Sequence, residues 1–125
     1  MTQEDFLRYV AAFNARDFAG FSGFYHEDVV FELGSAKQIR GRAAICDFYR
    51  EVAAHIEEEV IPLGVLVGPR HVAMYCRTTF KTTIDWLDFE LWPTRAGDRR
   101  EVETIAWYEH AGGVFTHIRG ARFKP

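Results

Sequence analysis

The sequence lacks long apolar runs, a cluster of basic residues along one element, and the pattern of an N-terminal targeting peptide. Each absence argues against a class of protein. No hydrophobic stretch approaches the roughly 20 residues that a helix needs to span a bilayer, so no membrane partner is expected. The 15 Lys and Arg are scattered among 18 Asp and Glu, with a net charge of −3, which argues against nucleic acid as a partner. The acidic, polar start MTQEDFLRYV differs from signal and transit peptides.

Cysteine is scarce, and the sequence shows no spacing typical of a metal or cofactor site. Cys46 and Cys76 lie in hydrophobic patterns and form no CxxC pair, so we expect two buried, reduced thiols and a cytoplasmic setting. The five histidines show neither an i, i+4 nor an HExxH spacing. No phosphate loop, nucleotide fingerprint or nucleophile elbow is present. We therefore expect neither a metal nor a cofactor.

Aromatic residues are what the chain has in excess. Its 125 residues are 48% hydrophobic and 26% charged, which is ordinary usage for one globular domain spanning residues 1–125. Aromatics make up 15% of the chain, including 11 Phe. Such an excess fits either a Phe-rich core or an aromatic-lined pocket for a small apolar molecule.

The first half of the chain has helical periodicity. Thr2 and Asp5 form the pattern of a capping box ahead of a helix with one apolar face. Asp17 is placed to cap a short second helix over residues 18–25, and residues 29–33 are typical of a strand. A polar loop over 34–41 precedes a third helix over 42–58. We interpret the run 57–59 as its solvated end; because acidic residues are unfavourable at a helix C-terminus, the alternative is that this run marks the change from helix to strand.

The second half has the patterns of strands and turns. Strands are predicted over 60–67, 72–81, 102–110 and 114–123, with turns at 68–69, 93–100 and 111–113 and an irregular insertion over 84–92. Helices followed by an antiparallel meander predict an α+β domain with the helices on one face of the sheet.

Four blocks of sequence, in order along the chain, resemble the nuclear transport factor 2-like superfamily, which includes SnoaL-like polyketide cyclases and ketosteroid isomerases. They are RYVAAFNARD at 8–17, FYHEDVVFE at 24–32, RGRAAI at 40–45 and GGVFTHIR at 112–119. The resemblance implies a cystatin-like α+β barrel, in which a cone-shaped, curved antiparallel sheet wraps around three N-terminal helices. It also implies a homodimer through the convex face of the sheet. If Ala106 and Tyr108 face the cone, Ile105 and Trp107 point outward and suit such an interface.

The resemblance carries over only one of the three groups that ketosteroid isomerases use. Tyr9 occupies the position of their hydrogen-bonding tyrosine on the first helix. Leu33 lies where the carboxylate base is expected, with Glu32 on the opposite side of the strand, and Ala106 lies where the protonated acid is expected. Steroid-type isomerisation is therefore disfavoured.

His117 and Arg119 are the alternative candidates for catalysis. They lie two residues apart on the last strand and so share a face, which by resemblance looks into the cone. An imidazole changes charge near neutral pH, and a guanidinium can hold a carboxylate or enolate. The alternative is that both side chains lie on the outward face, hydrogen-bonded and solvated.

Further residues are candidates for lining the pocket or closing it. The predicted ligand-binding set, beside core packing as the alternative, is Phe13, Phe31, Leu33, Phe48, Trp86, Ala106 and Tyr108. Asp85 and Trp86 belong to the insertion, which either forms a lid over the mouth or packs its own aromatics against the sheet.

Two hypotheses of function follow. The first is a cofactor-independent isomerase, cyclase or dehydratase that acts on an apolar carbonyl or hydroxy compound by general acid–base chemistry, with Tyr9, His117, Arg119 and Asp85 as candidate catalytic residues. The second is a binding or scaffold domain that holds an apolar ligand without turnover.

Overall fold

Three helices and six strands make up the computed structural model, which describes residues 1–124. In chain order they are α1 Gln3–Asn14, α2 Phe18–Ser22, β1 Tyr25–Leu33, β2 Lys37–Arg40, α3 Arg42–His55, β3 Ile56–Val67, β4 His71–Thr82, β5 Arg99–Ala111 and β6 Val114–Lys124. No helix within these residues is long and apolar enough to cross a membrane.

Helix α1 begins with the predicted capping box. The Thr2 side chain accepts a hydrogen bond from the Asp5 backbone N–H, and the Asp5 carboxylate accepts one from the Thr2 N–H. These contacts satisfy two of the amide donors that a helix start leaves open. The apolar face of α1, with Phe6, Tyr9 and Phe13, is buried against the sheet.

The six strands form one curved, unclosed sheet in the order β2-β1-β6-β5-β4-β3. All neighbours pair antiparallel except β1 and β6, which run parallel from Val30 opposite His117 to Leu33 opposite Gly120. The predicted α+β cone with three helices on one face is therefore confirmed, with one parallel pair in an otherwise antiparallel sheet.

Two boundaries near the start of the sheet differ from the sequence predictions. Helix α2 ends at Ser22 rather than at residue 25, because Tyr25 already belongs to β1. Residues 34–41 were expected to be a loop, but Lys37–Arg40 form β2, which pairs with Val30–Leu33. In both places, pairing between strands overrides the local sequence pattern: β1 pairs with β6 and with β2.

The end of α3 is the most consequential difference. The helix ends at His55, and Ile56 is extended with φ −133° and ψ 132°. The residues from Ile56 to Glu59 pair with Thr82 to Thr79 of β4, so the acidic run belongs to a strand and not to a solvated helix end. Alternation along β3 turns Glu57 and Glu59 to solvent and Glu58 toward the interior.

Strand β5 alternates as predicted. Ala106 and Tyr108 are buried, whereas Ile105 and Trp107 are 48% and 42% exposed on the convex face. The inner face of the sheet and α1 together form the main hydrophobic core.

The segment 83–98 packs its aromatics in a second, smaller cluster. The Trp86 ring stacks between His55 and Phe89, with centroid distances of 4.4 Å and 3.9 Å. Phe89 is buried with Val52 and Ile56. The segment is thereby fixed against α3 and the start of β3.

Candidate functional site

A cavity of about 160 Å³ lies between the inner face of the sheet and helices α1 and α3. Much of its wall is apolar, and includes Val10, Phe13, Phe31, Leu33, Met74 and Ile118. The wall also includes three tyrosines and one glutamate, namely Tyr9, Tyr49, Tyr108 and Glu58.

Six of the residues predicted from sequence line this cavity. They are Tyr9, Phe13, Phe31, Leu33, Ala106 and Tyr108. They come from α1, β1 and β5, and the curvature of the sheet brings them together. What they do chemically stays a prediction.

The orientation predicted for His117 and Arg119 is wrong. Strict alternation from Phe115, which is fully buried, would turn His117 inward, but β6 carries a bulge beside Glu109 and His110 that inserts Thr116. The extra residue reverses the faces, so Ile118 lines the cavity instead.

On the outer face, His117 and Arg119 belong to a small network of charged groups. The His117 ring Nε2 lies 2.6 Å from the Glu32 carboxylate, and Arg119 contacts Glu32 at 3.2 Å and Glu109 at 2.5 Å. The hydrogen bond from His117, reinforced by the charge of Arg119, lowers the pKa of Glu32. The network stabilises β1, β6 and β5 from outside the cavity.

Phe48, Asp85 and Trp86 also lie away from the cavity wall. The Asp85 carboxylate accepts a hydrogen bond of 2.8 Å from the Ala96 N–H, which braces the 83–98 segment. Trp86 is held in the second cluster, and Phe48 packs between that cluster and the main core. These three residues therefore support the loop and α3 in this structure.

Glu58 lines the cavity, although the sequence analysis did not predict it as a site residue. It projects from β3 into the cavity and, among residues 1–124, makes no hydrogen bond or ion pair with another side chain. Burial raises the pKa of Glu58 from 4.5 to about 7, and the charge of Arg16 offsets this only in part. A carboxyl group with such a pKa exchanges a proton readily at neutral pH.

The tyrosines supply hydrogen-bond donors that stay protonated. The Tyr9 and Tyr25 hydroxyls share a buried hydrogen bond of 2.8 Å. Burial raises the pKa values of Tyr9, Tyr25 and Tyr108 well above 10. Neutral phenols in an apolar site are suited to donating a hydrogen bond to a carbonyl or enolate oxygen.

One signal in the sequence would have identified Glu58. Ile56, Glu58 and Val60 alternate with Glu57 and Glu59, which is the period of a half-buried strand. The run of three glutamates fits a solvated helix end, but three carboxylates are unfavourable at a helix C-terminus, which is a further sign of the change from helix to strand.

The arrangement offers acid–base chemistry and apolar binding. Among residues 1–124, no group of three or more His, Cys, Asp or Glu side chains is placed to hold a metal ion. The residues that line the cavity include Glu58 and three tyrosines, whose side chains are of types that can transfer a proton and donate hydrogen bonds.

Comparison with known proteins identifies a family and a fold. A family described as SnoaL-like domain matches residues 6–118. A structure named as a polyketide cyclase from Pseudomonas putida KT2440 superposes with a TM-score of 0.84 at 22% identity, covering 97% of this chain and 91% of that one. A second so named, from Xanthomonas campestris pv. campestris, gives 0.82 at 19% identity, covering 94% and 86%.

An LEH-like epoxide hydrolase from M. tuberculosis shares the architecture as well. It superposes with a TM-score of 0.78 at 15% identity, covering 95% of this chain and 80% of that one. At these identities the likeness concerns the fold alone. No curated protein matches the chain.

Proposed function

Because this chain belongs to the SnoaL-like domain family, we propose that it is a small enzyme that moves a proton on an apolar carbonyl or hydroxy compound, without a cofactor, as an isomerase, cyclase or dehydratase. The supporting observation is Glu58, an unpaired carboxyl group on the wall of an apolar cavity, with a pKa of about 7. A partly buried carboxyl group without a side-chain partner is costly to ionise, so its presence favours a catalytic use.

The reaction step follows from the groups in the cavity. The Glu58 carboxylate removes a proton from the carbon beside a substrate carbonyl, and the electron pair of the broken C–H bond moves to the carbonyl oxygen. A tyrosine hydroxyl, Tyr9 or Tyr108, donates a hydrogen bond to the resulting enolate. Protonated Glu58 then returns the proton to another carbon of the enolate system, which completes an isomerisation.

The steroid-type arrangement remains disfavoured for a structural reason. Leu33 and Ala106 both line the cavity, and the resemblance implies that they occupy the positions of the two carboxyl groups of the ketosteroid isomerases. The carboxyl group of this chain enters from β3 instead, so the base approaches the substrate from a different wall.

The experiment uses 5-nitrobenzisoxazole, a compact aromatic probe that opens when a base removes its ring proton. The C–H and N–O bonds break, the proton passes to the base, and a coloured nitrophenolate forms. We expect kcat/KM to rise with pH through about 7, and Glu58→Gln to lower it about 100-fold or more.

The matched control is Glu57→Gln, since Glu57 is the neighbouring glutamate on β3 and faces solvent. It should retain the wild-type rate and pH profile. A Glu58→Gln protein that opens the probe at the wild-type rate would refute the role of Glu58.

Binding without turnover is the second candidate, and Leu33 and Ala106 favour it because neither can transfer a proton. On this alternative the cavity takes up an apolar molecule, and Glu58 changes its affinity but no rate. Probe binding detected by NMR together with equal ring-opening rates for wild type and Glu58→Gln would support it.

We further propose a homodimer formed through the convex face of the sheet. Leu66, Ile105, Trp107 and Phe123 are 42–76% exposed, and the outward pair Ile105 and Trp107 sits at the centre of β5. Large apolar groups exposed together are typical of an interface. We also propose a reducing, cytoplasmic setting, which the free, buried Cys46 and Cys76 support.

A further inference from the structure

A second, wider space adjoins the inner cavity at the mouth of the cone. This outer groove has a volume of about 560 Å³ and is bounded by residues 34–36, by Leu91 and Trp92 of the 83–98 segment, and by the inner faces of β5 and β6. Leu33, Thr104 and Gly120 form walls of both spaces. The two spaces therefore adjoin along these three residues.

One arginine, Arg122, lines this groove, and a second, Arg100, lies beside it on the inner face of the sheet, where it lines a neighbouring pocket with Asp98. Arg122 has the same parity as Ile118 and Gly120 on β6, stands opposite Thr104 in the register, and lines the outer groove. Arg100 has the parity of Val102 and Thr104 on β5. Its guanidinium lies 4.7 Å from the centre of the Trp92 ring, which is itself a wall of the groove.

Neither arginine forms an ion pair with a carboxylate of the described residues 1–124. Among residues 1–124, Arg77 and Arg119 on the outer face pair with glutamates, but Arg100 and Arg122 form no ion pair. Asp98 is the nearby acid, and its carboxylate accepts hydrogen bonds from the Arg95 N–H and the Thr94 hydroxyl.

The two guanidinium groups also act on each other. Burial, and then the positive charge of Arg122, lower the pKa of Arg100. Two uncompensated like charges beside an apolar groove destabilise the empty site, and an anion bound between them would relieve the repulsion.

We propose that Arg122 and Arg100 bind the carboxylate of an acid whose apolar ring occupies the inner cavity, so that the substrate is an aromatic or alicyclic carboxylic acid. Turnover of such an acid rests on the proposed function, whereas its binding does not. A cavity of about 150 Å³ is known to hold benzene, so the 160 Å³ here suits one ring. Arg122 lies two residues beyond Gly120, about 7 Å along the strand, which a short chain between ring and carboxylate spans.

The test compares two probes with the same carbon skeleton, 4-phenylbutyrate, which ends in a carboxylate, and 4-phenyl-1-butanol, which ends in a neutral hydroxyl, by calorimetry on the full chain. Wild type should bind the acid about tenfold more tightly than the alcohol, as one charge-assisted hydrogen bond predicts. This preference should decrease in Arg122→Gln and vanish in the double variant Arg100→Gln/Arg122→Gln. The affinity for the alcohol should be unchanged in both variants.

Arg119→Gln is the control, because Arg119 is the cation of β6 on the outer face. It should keep the preference for the acid. Equal affinities of the two probes in wild type, a preference that survives the double substitution, or no binding of either probe would overturn the proposal.

The catalytic proposal is tested separately with Glu58→Gln, which should still prefer the acid. A Glu58→Gln protein that binds normally but shows no loss of ring-opening rate refutes only the catalytic role. Equal affinities of wild type for the two probes, together with a normal Glu58-dependent rate, would refute only the carboxylate site.

Discussion

Replacing Glu58 by Gln should change how the free energy of unfolding depends on pH. The folded protein holds the Glu58 proton with a pKa of about 7, whereas the unfolded chain releases it at the ordinary value of 4.5. Between these two pH values the folded state binds more protons than the unfolded state. The free energy of unfolding contributed by this group therefore falls as pH rises, and below pH 4.5 no penalty remains.

The magnitude follows from the shift. A difference between 4.5 and about 7 corresponds to a penalty of about 3 kcal/mol when Glu58 is fully ionised. Gln has nearly the same shape and never ionises, so Glu58→Gln escapes this penalty. We expect the variant to be more stable than wild type at pH 8 by up to about 3 kcal/mol, and close to wild type at pH 4.

Urea unfolding followed by circular dichroism, at pH values between about 4 and 8, measures the difference. Other groups titrate in both proteins, so only the difference between wild type and variant is interpreted. Glu57→Gln serves as the matched control, because Glu57 faces solvent one residue away.

Two outcomes would refute the reasoning. A difference that stays constant with pH would mean that Glu58 titrates normally in the folded protein. A variant that loses stability relative to wild type as pH rises would mean that the carboxylate form is the one stabilised, which requires a partner for Glu58.

Three further predictions concern other parts of the molecule. Thr2→Ala should lower the free energy of unfolding by about 1 kcal/mol in urea titrations, since it removes the capping hydrogen bond to Asp5; an unchanged midpoint would contradict this. Trp107→Glu should convert the proposed dimer into a monomer in sedimentation analysis, and an unchanged mass would exclude this face. Tyr9→Phe should lower kcat/KM for 5-nitrobenzisoxazole about tenfold by removing a donor to the phenolate, and unchanged kinetics would leave the donor role to Tyr108.

Local signals predicted the elements where local contacts decide the structure. The capping box at Thr2 and the apolar spacing of Phe6, Tyr9 and Phe13 were sufficient for α1, because both involve residues within a few positions of one another. The alternation of Ile105 to Tyr108 similarly predicted the two faces of β5.

The site was harder to predict because pairing between distant residues decides it. Whether Glu58 ends a helix or begins a strand depends on its pairing with Phe80 of β4. Whether His117 faces the cavity depends on one inserted residue, Thr116, in the hairpin with β5. A shift of one position exchanges the two faces of a strand. The candidate for proton transfer in the cavity is therefore the Glu58 carboxyl group on β3 and not the His117 imidazole on β6.

The parallel pairing of β1 with β6 has a consequence for how the chain folds. Val30 pairs with His117, so β1 and β2 join the sheet only through its last strand in sequence. During synthesis the edge of β1 that β6 will cover stays unpaired until nearly the whole domain has emerged. Such long-range pairing slows folding and leaves an aggregation-prone edge exposed for longer. The fold that encloses the cavity is therefore completed late, by the same strand that contributes Ile118, Gly120 and Arg122 to the walls.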